Sequence, residues 1–402
     1  MSQIWDSQIW DAYVCCVVSP FRFGGEVAPD QLVDRVEEVA SVTRALSSGE
    51  RLFLIGPRRF GKTSIITAAV ARAREAGVTV IAANAEEYVT PEALAGELIR
   101  QGAEQMSGPL ERGFGRAARF FRRIRPTVAY DPITDAWTVG VSPDKSGGLD
   151  TIAVTEALKG LEAMAQEYDG AVAVVIDEFQ QVVAGDGVPG ERAIRAVVQR
   201  QQRLGYVFAG SATTLLTAMT SDHNRPFYRL GATRHLGPIP REDFRRHLAA
   251  GFARIGKRLL GDATEAIFLL AEDVPYSVQR LAHEVWTGSA ATAGEAIAAT
   301  SVTGALDALI ATETPTYGRI VSQLTSAQLK ALSAVAVASG YYVLTATATA
   351  RKYGMAVSTL RRSLNALEEK GLLRQDFGTP GVVYWRYEDP FFRAYVRRYL
   401  HV

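Results

Sequence analysis

The chain has 402 residues, 48% of them hydrophobic, so it is long enough for roughly two to four domains with buried cores. A net charge of +1 excludes attraction of a polyanion by overall charge, so any basic surface has to be local. The two cysteines, Cys15 and Cys16, are adjacent, which excludes a disulfide framework and a cysteine metal spacing, and no apolar run reaches a membrane span; a cytoplasmic protein with no membrane partner is expected.

Residues 1–18 form an amino-terminal segment that opens with a direct repeat, Ser2-Gln3-Ile4-Trp5-Asp6 and Ser7-Gln8-Ile9-Trp10-Asp11, too short for a solenoid unit. Ser19 to Gly25 reads as a loop. From Pro29 to Leu46 the apolar residues Leu32, Val36, Val39 and Val42 have helical spacing, and this segment could cover the base of a bound nucleotide. Leu52-Phe53-Leu54-Ile55 then reads as a buried strand and Thr63 to Ala76 as a helix. Between them stands Gly56-Pro57-Arg58-Arg59-Phe60-Gly61-Lys62-Thr63-Ser64. Gly56 and Gly61 permit the backbone angles that turn successive N–H groups toward phosphate oxygens. Lys62 is a point charge for the outer phosphates, and the Thr63 hydroxyl is a ligand for Mg²⁺. The helix start adds unpaired donors and its positive dipole end. A chance Gly-Lys-Thr turn is the competing reading, but strand before and helix after favour ATP or GTP.

Val78 to Ala82 is a second buried strand, and Pro91 to Gln105 a helix capped by Thr90. Arg112, Arg116, Arg119, Arg122, Arg123 and Arg125 follow against the single acid Glu111, with Phe114, Phe120 and Phe121 between them. A solvated basic helix face is the plainer reading, contact with nucleic acid or an acidic partner the sharper one. Thr127 to Val141 suggests a hairpin turning at Asp131-Pro132, and Thr151 to Tyr168 a helix. Ala171 to Ile176 is the near-continuous apolar run of a strand buried on both faces. It ends in Asp177-Glu178, where α/β sheets place ligands. Asp177 is the expected Mg²⁺ partner and Glu178 the expected base orienting the attacking water. Ala193 to Leu204 is a further helix and Gly205 to Thr213 a strand. Its Ser211 either reaches the γ-phosphate and the water beside Glu178, or is simply a helix cap. Ala232 to Leu236 is a candidate fifth strand. From Arg241 to Thr312 the pattern is helical, clearest at Glu242–Arg254, Ala263–Ala271 and Tyr276–Thr287.

This order of parts resembles the AAA+-related, archaeal-type branch of the STAND ATPases. The double-arginine phosphate loop carries the resemblance, together with Ser19-Pro20-Phe21 and Gly24, Asp34-Arg35-Val36-Glu37-Glu38 and Asp177-Glu178. Ala209-Gly210-Ser211, Arg225-Pro226-Phe227-Tyr228 and Val274-Pro275-Tyr276-Ser277-Val278-Gln279 also match. The resemblance implies a sheet in the order 5-1-4-3-2, a helical lid, and ATP with Mg²⁺. It puts Ser211 in the sensor place and Pro275 and Tyr276 near the adenine and ribose. Family members usually carry glycine where Asp273 stands. No arginine matches a trans-acting finger: Arg229 and Arg234 are candidates, with a surface ion pair as the competing role. Ring hydrolysis and a nucleotide-held switch both stay open.

From Thr325 to the terminus eleven Lys and Arg face five Asp and Glu. Leu329–Ala338, Ala346–Tyr353 and Val357–Lys370 read as helices, with a turn at Gly354-Met355-Ala356 before the third. Leu372–Phe377 and Val382–Tyr387 read as a hairpin, and Asp389 and Pro390 begin a terminal helix. Helix, helix, turn, helix, hairpin is the order of a winged helix-turn-helix. On the third helix Leu360, Leu364 and Leu367 share one face, leaving Ser358, Thr359, Arg361, Arg362 and Asn365 outward. Thr359, Arg361, Arg362 and Asn365 are the candidate DNA contacts, arginines for guanine or phosphate and asparagine for adenine. Docking of a protein, or self-packing, is the competing use. Ala356 stands where a Ser or Thr cap is usual, and the hairpin offers only Arg374 and Arg386.

The expected fold class is α/β: a P-loop AAA+-like parallel sheet, a helical lid and a carboxyl-terminal winged helix-turn-helix. Expected domains are 1–18, an ATPase core at 19–240, a lid at 241–312 and the winged helix at 320–402. The expected function is a Mg²⁺-dependent ATPase of slow turnover that couples nucleotide state to a DNA-binding winged helix. Expected partners are ATP or ADP and double-stranded DNA. The alternative is an ATP-gated scaffold that engages a protein partner or a second copy, with little turnover and no DNA. A metabolic P-loop kinase ranks third, because no second-substrate lid is evident.

Overall fold

The computed structural model describes residues 19–25, 27–106, 126–131, 136–141, 151–211, 214–289, 296–337, 347–377 and 383–400. The repeat at 2–11, Cys15 and Cys16, and the basic segment 111–125 lie outside them, as does the turn at Pro132.

Ala28–Gly237 form one unit. In chain order it holds α1 (Val36–Ser48), β1 (Arg51–Gly56), α2 (Lys62–Glu75), β2 (Thr79–Asn84), α3 (Pro91–Met106), β3 (Pro126–Asp131) and β4 (Ala136–Val141). Then come α4 (Ile152–Gln166), β5 (Val172–Asp177), α5 (Gln180–Val183), α6 (Gly187–Val198), β6 (Leu204–Ser211), α7 (Thr214–Ser221) and β7 (Ala232–His235). Five strands pair in parallel in the order β2-β5-β6-β1-β7, which is the expected 5-1-4-3-2 read from the other edge. β3 and β4 form the expected separate antiparallel hairpin.

The apolar run of β5 is buried throughout, and so is β6. Alternate residues serve two cores, because successive side chains of a strand point to opposite faces. Phe53, Ile55, Val174, Ile176, Tyr206 and Phe208 pack with α3, α4 and α6 on one face. Leu52, Leu54, Ala173, Val175, Val207 and Ala209 pack with α1 and α2 on the other. Register brings the carboxyl ends of the strands level: Gly56 lies opposite Ser211, and Asn84 opposite Asp177.

Two helix boundaries differ from expectation. The helix expected from Pro29 begins only at Val36, since Asp34 and Arg35 adopt left-handed backbone at φ 55° and 72°. Arg35 is there drawn inward, donating from Nη2 to Gly237 O at 2.7 Å, a tertiary bond that a helical pattern cannot anticipate. The helix expected over Ala193–Leu204 runs from Gly187 to Val198 instead. The Arg51 guanidinium donates to Val198 O at 2.7 and 3.1 Å and closes the helix there, freeing Leu204 for β6.

The second unit joins residues up to Val27 with Pro238 onward. It holds α8 (Arg241–Ala253), β8 (Arg258–Leu259), α9 (Gly261–Leu270), α10 (Pro275–Ser289), β9 (Ala296–Ile297) and α11 (Ala299–Ser322). After these come α12 (Ser326–Val337), α13 (Thr347–Lys352), α14 (Val357–Glu369), β10 (Leu373–Phe377), β11 (Val383–Tyr387) and α15 (Pro390–Tyr399). The break expected between 312 and 320 falls inside α11, one continuous helix of 24 residues that includes Pro315. α11 packs against α9 and α10 and also against α15, so the helical bundle and the terminal module share it.

The terminal module is built as a winged helix. Leu360, Leu364 and Leu367 are fully buried beneath α14, and β10 and β11 pair antiparallel as the hairpin. The buried Tyr387 hydroxyl donates to Leu332 O at 2.7 Å, tying the hairpin to α12. Asp389 caps α15 through Phe391 N at 2.9 Å, while α14 has Ala356 at its start and no side-chain cap. Among the described residues no helix is long and apolar enough to cross a membrane.

Candidate functional site

The Gly56–Ser64 loop leaves β1, an interior strand between β6 and β7, and turns directly into α2. Glycine is required at 56, where a Cβ would lie 2.7 Å from Leu236 Cβ. Gly61 takes φ 86°, the left-handed conformation that glycine adopts without strain. Arg59 takes φ 67° and accepts the cost that glycine avoids. Arg58 and Arg59 are exposed, while Phe60 is buried and its carbonyl accepts from Arg35 Nη2 at 3.4 Å. No side chain caps the first turn of α2.

Lys62 is buried, and its ammonium donates to Gly56 O at 3.1 Å and Pro57 O at 3.2 Å. Thr63 Oγ1 donates to Asp177 Oδ2 at 3.0 Å, joining the two residues expected at the metal. The other Asp177 oxygen accepts from Glu178 N at 2.9 Å. Burial pushes the Asp177 carboxyl up, and the Glu178 charge adds to this; the Glu178 N–H, the Thr63 hydroxyl and the Lys62 charge oppose it. A buried carboxylate beside an exposed hydroxyl is a donor set that a small hard dication fits, because the ion offsets the burial of charge. Glu178 turns at φ 48°, and its Oε1 lies 4.0 Å from Lys62 Nζ.

Ser211 sits at the end of β6, and its hydroxyl lies 3.5 Å from Glu178 Oε2. Gln180 completes the cluster. Its Nε2 donates to Glu178 Oε2 and to Ser211 Oγ at 3.2 Å. Gly56–Ser64, Asp177, Glu178 and Ser211 thus meet at the carboxyl ends of three interior strands of one sheet. Gln180 and Arg35 are the contributors that pattern reading missed. A polar residue two places after the acidic pair was the available signal for Gln180. For Arg35 the matching segment Asp34–Glu38 was a signal for the position but not for its contacts, since its reach depends on the loop it meets.

Pro275 and Tyr276 belong to the other unit, in the first turn of α10, and the Tyr276 ring meets Phe23 edge-on at 5.9 Å. Asp273 adopts φ 56°, the left-handed conformation expected of the glycine it replaces, and Glu272 before it φ 51°. Asp273 accepts two hydrogen bonds from Arg241, each at 2.8 Å. Among the finger candidates, Arg229 lies over the Tyr228 ring at 5.1 Å and Arg234 bonds Ser41 at 3.3 Å.

On α14, Arg361, Arg362 and Asn365 are exposed along a shallow groove with Ser358, and Thr359 is half-buried. The hairpin arginines are engaged elsewhere. Arg374 is buried and donates to Tyr387 O at 2.9 Å, and Arg386 pairs with Asp376 across the hairpin at 3.1 Å.

No protein-family model matches the chain, and none of the curated proteins does. Solved structures do. The Walker-type ATPase of Pyrococcus abyssi is similar at TM-score 0.60 and 17% identity, over 94% of this chain and 99% of that one. The ORC2 protein of Aeropyrum pernix, solved in ADPNP–ADP complexes, is similar at TM-score 0.53 and 15% identity, over 94% and 96%. The chain therefore shares the fold of these two archaeal proteins, with a parallel sheet ordered 5-1-4-3-2, a helical bundle and a carboxyl-terminal winged helix.

Proposed function

We propose that the protein binds ATP with Mg²⁺ at the Gly56–Ser64 loop, hydrolyses it slowly, and uses the nucleotide state to govern a DNA-binding winged helix. The observation that carries the reading is the convergence of Thr63, Asp177, Glu178 and Ser211 through hydrogen bonds, with Lys62 joined to Glu178 by an ion pair at 4.0 Å. Loop N–H groups and Lys62 would hold the phosphates, the ammonium exchanging two backbone carbonyls for phosphate oxygens. Thr63 and Asp177 would hold Mg²⁺, which supplies neutralising charge to the phosphate oxygens. Glu178 orients the attacking water and accepts its proton, and Ser211 donates to the same region. The A. pernix relative of this fold was solved with nucleotide, which supports the choice of ligand.

Lys62→Ala removes the buried ammonium and is expected to abolish ATP binding in calorimetry. Glu178→Gln keeps binding and stops phosphate release. Equal ATP affinity in the wild type and Lys62→Ala would overturn the site.

A second reading has its own observation. Arg374 and Arg386 are both engaged within the hairpin, which leaves the wing little to offer a phosphate backbone. This favours a winged helix that docks a protein, on an ATP-gated scaffold. Turnover no greater than that of Glu178→Gln, with no DNA bound at low salt with either nucleotide, would select it.

A further inference from the structure

We infer that Gln180 is a positioning residue for Glu178, its side-chain amide holding the carboxylate and the Ser211 hydroxyl in one fixed arrangement. The inference rests on the ATPase reading and deepens it.

Gln180 is buried at 7% exposure, and its Nε2 is shared between Glu178 Oε2 and Ser211 Oγ. The amide has only one attractive orientation here, because reversing it would aim Oε1 at a carboxylate. In that orientation Oε1 is buried with no hydrogen-bond partner among the described residues. An unsatisfied buried acceptor costs stability, so packing alone would favour an apolar side chain. The sheet also makes room for the amide. A Cβ on Gly210 would lie 2.1 Å from Gln180 Oε1, so β6 lacks a side chain where the amide stands.

The backbone delivers Gln180 to this place. Glu178 turns out of β5 in the left-handed conformation, and Phe179 N then donates to Ala209 O at 2.9 Å. The Phe179 ring is fully buried against Phe208 and Phe227. Two polar side chains therefore flank one buried anchor, and residues 178 and 180 come to the same side. Glu178 is held between the amide, the Ser211 hydroxyl and Lys62 at 4.0 Å. A base held from several directions loses little orientational freedom before it receives a proton, which is what positioning contributes to rate.

Gln180→Leu and Gln180→Glu test this, each measured for steady-state ATP hydrolysis, ATP affinity and thermal midpoint beside the wild type and Glu178→Gln. Gln180→Leu keeps the volume, removes the amide donor and removes the orphaned acceptor. It is expected to lower kcat about tenfold, less than the roughly 10²–10⁴-fold that a general base itself supplies, because Gln180 only positions that base. ATP affinity should stay unchanged, and the midpoint should stay unchanged or rise. Gln180→Glu sets a second carboxylate against Glu178 and should lower kcat further. Wild-type kcat in Gln180→Leu overturns the inference, and so does a lowered midpoint with affinity and kcat falling together, the mark of a purely structural residue. A wild type no faster than Glu178→Gln overturns the ATPase reading instead.

Discussion

Glu191 is fully buried on α6, and its carboxylate meets the Arg225 guanidinium, with Arg225 Nε at 3.2 Å from Oε2. Burial pushes the Glu191 carboxyl up, and the Arg225 hydrogen bonds and charge hold it down. A raised carboxyl keeps a proton in the folded state that the unfolded chain has released. Its contribution to stability therefore falls as pH rises through the window above the ordinary carboxylate value. Arg225→Met widens that window by stranding the charge, and is expected to cost about 3–5 kcal/mol at neutral pH. The deficit should shrink as Glu191 is protonated toward acid. Urea unfolding at two pH values measures this, and a pH-independent deficit would contradict it. The pair also explains why Arg225 is no finger candidate although it lies in a matching motif. The motif was visible in the sequence, but the buried acid across from it was not, since residues 191 and 225 meet only through the fold.

The turn between α9 and α10 shows the same division among elements. Glu272 and Asp273 both hold left-handed backbone, a conformation that costs ordinary residues energy and that glycine adopts freely. Asp273 ties back to Arg241 at the start of α8, and Glu272 accepts from Arg393 of α15 at 2.6 Å. Arg393 also donates to Ala336 O in α12 at 3.1 Å. A single turn thus links the helical bundle to the winged helix, next to the Pro275-Tyr276 stretch. Asp273→Gly keeps the conformation without strain and loses a pair that is largely exposed, so stability should change by no more than about 1 kcal/mol. Asp273→Val forces a β-branched residue into the same angles and should cost at least about 2 kcal/mol. Chemical denaturation of the two variants decides, and equal costs would show that the ion pair matters and the angle does not. Periodicity located α9 and α10 within a few residues, because their apolar stripes are local. It extended the helix before β1 too far, because the inward pull on Arg35 is not local.

At the scale of the whole molecule, the proposed DNA binding has the clearest measurement. Arg361 and Arg362 are exposed on α14 in a carboxyl-terminal stretch of eleven cations and five anions. If both contact phosphates, Arg361→Ala with Arg362→Ala should weaken binding across all sequences. It should also flatten the slope of log affinity against log salt by about 2. An unchanged slope would remove both residues from the interface. The strand order was legible only as what the family resemblance implied, whereas the order of parts along the chain determined the phosphate loop, the acidic pair and the winged-helix plan. Each of these last three is written in short-range patterns: a glycine spacing, an apolar run, a helical stripe. Tertiary structure alone decided which polar groups meet. It set Gln180 between Glu178 and Ser211, drew Arg374 and Arg386 into the hairpin, and carried α11 unbroken through an expected domain boundary. Gln180 reaches Ser211, 31 residues away, only because β5 and β6 pair, and Arg374 and Arg386 find their partners only across the paired strands. Hydropathy pattern carries no record of which polar groups meet in a buried space.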